Sequence, residues 1–319
     1  MSYRSYNRSI WLSQVKYSIR GKLKKYFGEQ ETKIEDGNSL NFGSEIDGAR
    51  NIDSSFVNAS SYHPLSYKDW QSGILNLTQK SDNFVSLKFG DGDYFFLKQI
   101  EIGSAAPGNR ALSVPYSDLD MKPFYDGIAL ANQIACESVL SNLESFREMF
   151  GARTPDYPAE YLYGSIANRW LLKSLDGKLG FIGAAPKIDL IEKLLEHQIY
   201  RDYLGIQGEV SLIRIPQKFA CDDILSTRRM ISDQINIDSN KTFLMGVGHA
   251  KFGLVEELKK FKHAQFIDIG SGIDALAGII DIRRPYFADW WNFRFADPIT
   301  YTDIDLLQAS NFGSVILIP

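Results

Sequence analysis

Two carboxylates one residue apart, Asp91 and Asp93, stand in a segment bracketed by glycines. Hard divalent cations prefer oxygen ligands, so an Asp-x-Asp pair at the end of a strand predicts a site for Mg²⁺ or Mn²⁺ with a substrate diphosphate as a further ligand. Gly90 and Gly92 allow a tight turn there, because glycine adopts backbone angles that are costly for other residues. The segment is therefore a candidate for binding a substrate diphosphate through a metal ion.

Apolar runs flank this segment on both sides. Residues 84–89 and 94–100 are rich in Phe, Val, Leu and Tyr, which predicts two strands. Between two strands, the segment also matches an ordinary polar hairpin turn, because Asp-Gly is a strong hairpin signal. On local sequence alone the hairpin turn is the favoured interpretation. Segments further along the chain shift the balance toward a binding site.

A second glycine-rich segment follows another apolar run and precedes a predicted helix. It contains Gly246, Gly248 and His249. Glycines at a helix N-terminus let backbone amides approach a phosphate, and the helix dipole favours its negative charge. His249 is interpreted either as a ligand or base, or as a structural residue that caps the helix. Asp268 follows about 20 residues later, where the ribose-binding acid of an NAD site is expected; the segment 267–272 also resembles the first motif of S-adenosylmethionine-dependent methyltransferases.

Short apolar runs alternate with helical patterns through the second half of the chain. The runs lie at 179–184, 210–216, 242–248 and 264–270, and the helical segments at 187–203, 218–235 and 250–262. This alternation predicts a parallel sheet with right-handed crossovers. Ligands of such sheets bind at the carboxyl ends of the strands, so the glycine-rich strand ends are where a substrate or cofactor is expected. Before these runs, apolar periodicity predicts helices at 124–150 and 159–175.

The bulk composition limits the classes of protein that fit. The chain has 319 residues, a net charge of -4 and two cysteines. The negative charge argues against a general nucleic-acid binder. Cys136 and Cys221 form no Cys-x-x-Cys or Cys/His cluster, which excludes a zinc site of that kind. No apolar run approaches the roughly 20 residues of a membrane span and no signal-peptide core is present, so a cytoplasmic location is predicted.

Basic residues are concentrated at the N-terminus, ahead of the first acidic residue, Glu29. Apolar residues at helical spacing predict a basic amphipathic helix within 9–27, and a linker rich in Gly, Ser, Asn and Asp follows it. A helix of this kind lies either on an anionic membrane surface or against the main domain. The predicted organisation is an N-terminal segment at 1–60 and one domain at 61–319, with no prediction of oligomeric state.

Taken together, these segments resemble the GT-D glycosyltransferases, bacterial enzymes that extend glycans on streptococcal adhesins. Residues 84–93 are similar to the family's "RFGDGE" signature, and 245–250 and 266–271 are similar to its glycine-rich strand end and its "DIGH" strand. Three positions depart from the family pattern: Lys88 replaces arginine, Asp93 replaces glutamate and Ser271 replaces histidine. The alternatives are an NAD- or S-adenosylmethionine-binding enzyme and a non-catalytic interaction protein with this fold.

The resemblance implies a Rossmann-like, GT-D-type parallel sheet flanked by helices, with the basic helical segment as an N-terminal extension. It implies a glycosyltransferase that moves a sugar from a nucleotide-diphosphate donor to a glycan or other hydroxyl acceptor. Asp91 and Asp93 would bind the donor directly or through Mg²⁺ or Mn²⁺. The other residues expected at the nucleotide site are Lys88, Gly90, Gly92, Gly246, Gly248 and His249. Asp268 would bind the nucleotide, act as a general base or cap a local turn.

Overall fold

The computed structural model describes residues 63–80, 82–100, 112–138, 140–167, 169–235, 241–279, 292–301 and 315–318. The predicted basic helix, with its proposed membrane-surface segment at 9–27, and the linker up to residue 60 lie outside these ranges. Within the described ranges, no helix is both long enough and apolar enough to cross a membrane.

Among the described residues, six parallel strands form the central sheet. In chain order they are β1 (Phe84–Phe89), β2 (Gln133–Cys136), β3 (Leu179–Ala184), β4 (Ser211–Ile215), β5 (Lys241–Gly246) and β6 (Ala264–Asp268). Their order across the sheet is β2-β1-β6-β5-β3-β4, and every neighbouring pair is parallel. The predicted parallel α/β sheet is therefore confirmed.

Helices cover both faces of this sheet. They are α1 (Tyr67–Gln79), α2 (Asp91–Leu97), α3 (Lys122–Leu130), α4 (Leu140–Phe150), α5 (Ala159–Ala167), α6 (Trp170–Ser174), α7 (Ala185–Leu195), α8 (Gln198–Leu204), α9 (Ile224–Gln234), α10 (Ala250–Leu258) and α11 (Gly272–Leu276). Along β5, Leu244 belongs to one hydrophobic cluster, and Phe243 and Met245 to the other. Because side chains alternate along a strand, these two clusters lie on opposite faces of the sheet. A separate parallel pair consists of β7 (Asn292–Phe295) and β8 (Val315–Ile318).

The predicted hairpin at 84–100 is wrong, because α2 follows β1 directly. Gly90 is extended, with φ -136° and ψ -179°, and its N–H donates to Asp93 Oδ2 at 2.9 Å. This bond satisfies an amide at the start of the helix, as a capping side chain does. Phe96 and Leu97 then pack into the core while Tyr94 stays partly exposed. The apolar run after Asp93 therefore follows a helical period and not a strand period.

The predicted helix at 124–150 is also wrong in its middle, where β2 interrupts it. Ile134 lies beside Leu87 of β1 in the parallel register. Asn132 anchors the start of β2, since its Oδ1 accepts from Val85 N at 2.8 Å and its own N–H donates to Val85 O at 2.9 Å. Pairing with a strand distant in the chain overrides the local helical pattern here. Similarly, the predicted helix at 159–175 divides into α5 and α6 next to Arg169, whose φ is 64°.

The carboxyl ends of β1, β6 and β5 lie side by side in the middle of the sheet. β1 leads into α2, β5 leads into α10, and β6 leads into α11. In the register of the sheet, Met245 of β5 pairs with Asp268 of β6. The two glycine-rich segments singled out in the sequence therefore meet at one edge of the sheet.

Candidate functional site

Asp93 connects the two segments. It lies in the first turn of α2, 5% exposed. Its Oδ2 accepts from Lys251 Nζ at 2.8 Å and from Gly90 N at 2.9 Å, and its Oδ1 lies 2.9 Å from His249 Nδ1. Burial opposes ionisation of Asp93, yet Lys251 and His249 together hold its pKa well below the usual range. Asp93 is therefore a carboxylate with both oxygens engaged.

Lys251 lies between two carboxylates. Its Nζ is 2.8 Å from Asp93 Oδ2 and 3.1 Å from Asp268 Oδ2, and its side chain is 4% exposed. A lysine is rarely this buried unless it is paired. Lys251 was not among the residues predicted from the sequence, where its only signal was its place in the first turn after the glycine-rich segment.

Asp268 holds the turn between β6 and α11. It is 1% exposed, its Oδ1 accepts from Gly270 N at 2.9 Å, and its Oδ2 accepts from Lys88 N at 3.2 Å. Lys251 contacts the same Oδ2. Of the three roles considered from the sequence, this geometry fits the cap of a local turn. It leaves no carboxylate oxygen directed at a ribose or an acceptor hydroxyl.

Lys88 is buried in the same cluster. Its Nζ lies 3.2 Å from Glu137 Oε1, which also accepts from Tyr163 OH at 3.1 Å. Burial alone would lower the pKa of Lys88, but Tyr163 and Glu137 raise it well above the ordinary value. A Cβ on Gly270 would lie 3.0 Å from Lys88 Cε, and one on Gly90 would lie 3.1 Å from Nζ. Glycine at these positions makes room for a buried ammonium group.

His249 stands at the edge of the cluster, just before α10. Its side chain is 23% exposed, and its ring stacks on Phe96 at 4.8 Å between centroids and 5° between planes. A Cβ on Gly92 would lie 3.3 Å from its Cε1. Gly92 therefore leaves space for the imidazole ring. The structure therefore brings His249 into contact with Asp93.

The two glycines between β5 and α10 differ in their surroundings. A Cβ on Gly246 would clash with Ile273 and would lie 2.7 Å from Gly270 O, so glycine here serves close packing between β5 and α11. Gly248 has φ +58°, and a Cβ added to it would meet no atom within 4 Å. Of the two, Gly248 is the one where a phosphate has room to approach the backbone.

The two carboxylate oxygens of Asp93 are already engaged and do not suit a divalent cation as ligands. A metal at Oδ2 would lie against the Lys251 ammonium, whose like charge repels it strongly in a buried site. Within the described ranges, no group of three or more His, Cys, Asp or Glu side chains is arranged to hold a metal ion. The side chain of Asp91, the first residue of α2, lies outside the part of the chain that the structure describes. A metal requirement for the reaction therefore stays a prediction.

A further buried carboxylate, that of Glu160, lies near the end of β2. Glu160 is 7% exposed, and its Oε1 accepts from Ser138 N at 2.7 Å. Burial raises the pKa of Glu160 to about 7. The neighbouring Glu137 is the partner of Lys88 and also accepts from Asn142 Nδ2 at 2.9 Å. These acids carried no recognisable motif in the sequence.

Solved glycosyltransferase structures resemble this chain. A glycosyltransferase (DUF1792) from Streptococcus sanguinis aligns with 79% of this chain and 97% of its own, at 15% identity and a TM-score of 0.44. A structure of the highly conserved domain of unknown function 1792, described as having a distinct glycosyltransferase fold, aligns with 65% of this chain and 83% of its own, at 14% identity and a TM-score of 0.39. No family model matches the sequence, and no curated protein matches it. Similarity this distant says nothing about substrates, which depend on the side chains of this chain.

Proposed function

We propose that this protein transfers a sugar from a nucleotide-diphosphate donor to a glycan or other hydroxyl acceptor. The observation that carries the proposal is the buried ion pair between Asp93 and Lys251, which joins two motifs 158 residues apart into one site. The site lies at the carboxyl ends of three adjacent parallel strands, where nucleotide ligands of such sheets bind. Burial of so many charged groups at one edge is costly and is typical of a functional site.

The reaction releases a nucleoside diphosphate, on which negative charge develops as the bond to the sugar breaks. Fixed positive charges in a site that excludes water stabilise such a leaving group. Lys88 and Lys251 are already paired with carboxylates, so the uncompensated positive charge offered to a diphosphate is the helix-dipole end at the N-terminus of α10. The open space at Gly248 supports an approach of the diphosphate to this helix N-terminus.

The charge balance of the cluster bears on the predicted metal. Two ammonium groups, Lys88 and Lys251, are set against the carboxylates of Asp93, Asp268 and Glu137. We infer that Mg²⁺ or Mn²⁺ accompanies the donor diphosphate and is not held by Asp93. The role of Asp93 in this proposal is to organise Lys251 and His249.

A dinucleotide site is the second candidate, and the glycine-rich turn before α10 favours it. Two observations oppose it. Asp268, which would bind the ribose, is 1% exposed with both oxygens engaged. The strand order 2-1-6-5-3-4 also differs from the order 3-2-1-4-5-6 of NAD-binding domains.

A donor screen tests the proposal. The protein is incubated with UDP-, GDP- and dTDP-sugars, with CMP-sugars as monophosphate comparisons and with NAD, each with Mn²⁺, Mg²⁺ or EDTA. The melting temperature and the released nucleotide are measured. We expect one donor class to raise the melting temperature by mass action and to release its nucleotide. Release should be lost in Asp93→Asn and kept in the matched control Asp126→Asn, which alters an exposed carboxylate on α3. The proposal is overturned if no donor releases its nucleotide. A rise in melting temperature with NAD that is equal in the wild type and in Asp93→Asn would favour the second candidate.

A further inference from the structure

Transfer to a hydroxyl also releases a proton, and the cluster holds several groups that could be considered as its acceptor. Asp93 is a poor base, because its pKa is held well below the usual range and both of its oxygens are engaged. Asp268 is sealed in the turn before α11. Glu137 is occupied by Lys88, Tyr163 and Asn142. Among these groups of the cluster, His249 alone reaches the solvent edge of the site with an unengaged nitrogen.

The contact with Asp93 determines which nitrogen of His249 carries the hydrogen. Asp93 is ionised, so its Oδ1 can only accept, and the 2.9 Å contact requires the hydrogen on Nδ1. In the neutral ring, Nε2 then carries the free lone pair. In the described part of the chain, Nε2 makes no hydrogen bond to protein. The stack on Phe96 fixes the plane of the ring.

We propose that His249 is the general base for the acceptor hydroxyl and that Asp93 is its positioning residue. The inference rests on the proposed glycosyl transfer. As the acceptor oxygen bonds to the anomeric carbon, the bond from that carbon to the diphosphate breaks and its electron pair leaves with the diphosphate. The hydroxyl proton moves to Nε2, and Asp93 stabilises the imidazolium that results. Among the described residues, Asp93 is the charged partner of the ring, and Lys251 on α10 and Lys88 on β1 are the cations that act on Asp93 in turn.

A purely structural role for His249 agrees less well with its contacts. His249 is the residue that precedes α10, but its side chain makes no capping hydrogen bond to that helix. A ring serving only to fill space would not need its Nδ1 directed at a buried carboxylate. The arrangement of a carboxylate, an imidazole and an open nitrogen is the one that orients a histidine for proton transfer.

NMR of the full chain tests the geometry without any substrate. Histidine labelled with ¹⁵N reports which ring nitrogen is protonated, and the His249 signals are those missing in His249→Gln. We expect the Nδ1–H tautomer in the neutral ring, and we expect the preference to disappear in Asp93→Asn. An Nε2–H tautomer in the wild-type protein overturns the proposal.

Kinetics test the chemistry, using the donor found by the screen with water or a free monosaccharide as acceptor. His249→Gln should lower kcat by about 10²-fold or more with little change in donor KM, since general bases contribute about 10²–10⁴-fold. His249→Ala should regain activity when free imidazole is added, because the ring leaves a slot beside Phe96; a structural role predicts no such rescue. His263→Gln, at an exposed histidine, is the control. If folded His249→Gln has the wild-type kcat, the base role of His249 is overturned but the proposed function stands. If the wild-type protein turns over no donor, both the proposed function and the base role are overturned.

Discussion

Lys251 and Asp93 form an ion pair in which both side chains are buried, with 2.8 Å between Nζ and Oδ2. Only 4% of the Lys251 side chain and 7% of the Asp93 side chain are exposed. The same lysine lies 3.1 Å from Asp268, so one ammonium group serves two carboxylates from two different strand ends. This shared cation holds together the starts of α2, α10 and α11. The predictions below follow from it and from the residues packed around it.

Lys251→Met should destabilise the protein by about 3–5 kcal/mol, because it leaves two buried carboxylates without their cation. The double variant Asp93→Asn/Lys251→Met should lose less stability than the sum of the losses in the two single variants, because both members of the pair are then neutral. Urea unfolding followed by circular dichroism measures both. The control is Lys122→Met, which breaks an exposed pair with Asp126 and should change stability little. Strict additivity of the two buried changes would contradict the pairing.

Glu160 should make stability depend on pH between about 4.3 and 7. Burial raises its folded-state pKa to about 7, above the unfolded value of about 4.3, so the folded protein binds more protons in this window. The free energy of unfolding should therefore fall as pH rises through it, by roughly 4 kcal/mol in total. Glu160→Gln keeps an oxygen for Ser138 N and should remove this slope, whereas Glu144→Gln, at an exposed site, should retain it. Parallel pH profiles for wild type and Glu160→Gln would refute the assignment.

The two glycines before α10 should respond differently to alanine. Gly246→Ala places a methyl group against Ile273 and should cost about 1–3 kcal/mol of stability through overpacking. Gly248→Ala meets open space and should cost about 1–2 kcal/mol, because φ is +58°. Since Gly248 is where the diphosphate is proposed to approach, its alanine variant should also bind the donor more weakly at a temperature where it is fully folded. Thermal unfolding and donor titration separate the two effects.

Mn²⁺ titrated into the protein without a nucleotide should give no saturable binding heat. Asp93 has both oxygens engaged, and Lys251 repels a second cation at Oδ2. Calorimetry with and without the nucleoside diphosphate released in the donor screen provides the comparison. Saturable binding of Mn²⁺ alone that disappears in Asp93→Asn would show that Asp93 is a metal ligand after all.

Several elements were accessible from the sequence because local physics specifies them. The apolar runs that became β3, β5 and β6 are buried on both faces, so their strand character is recognisable without knowledge of their neighbours. The run after Asp93 was harder, since Tyr94–Leu97 suits a strand or a helix equally. In the structure it forms α2, whose first turn is capped by the bond from Gly90 N to the Asp93 carboxylate. β2 was missed because its four residues acquire strand structure only by pairing with β1.

The sequence by itself determined the parallel α/β architecture and the two glycine-rich segments at its strand ends, because hydrophobic period and glycine placement are local properties. Only the tertiary structure decided what those segments do together. The order of strands across the sheet brings β1, β6 and β5 into adjacency, and no local pattern encodes that order. Through it, Lys251 meets Asp93 across 158 residues, Asp268 is sealed in a turn, and His249 is left at the open edge with Asp93 behind it.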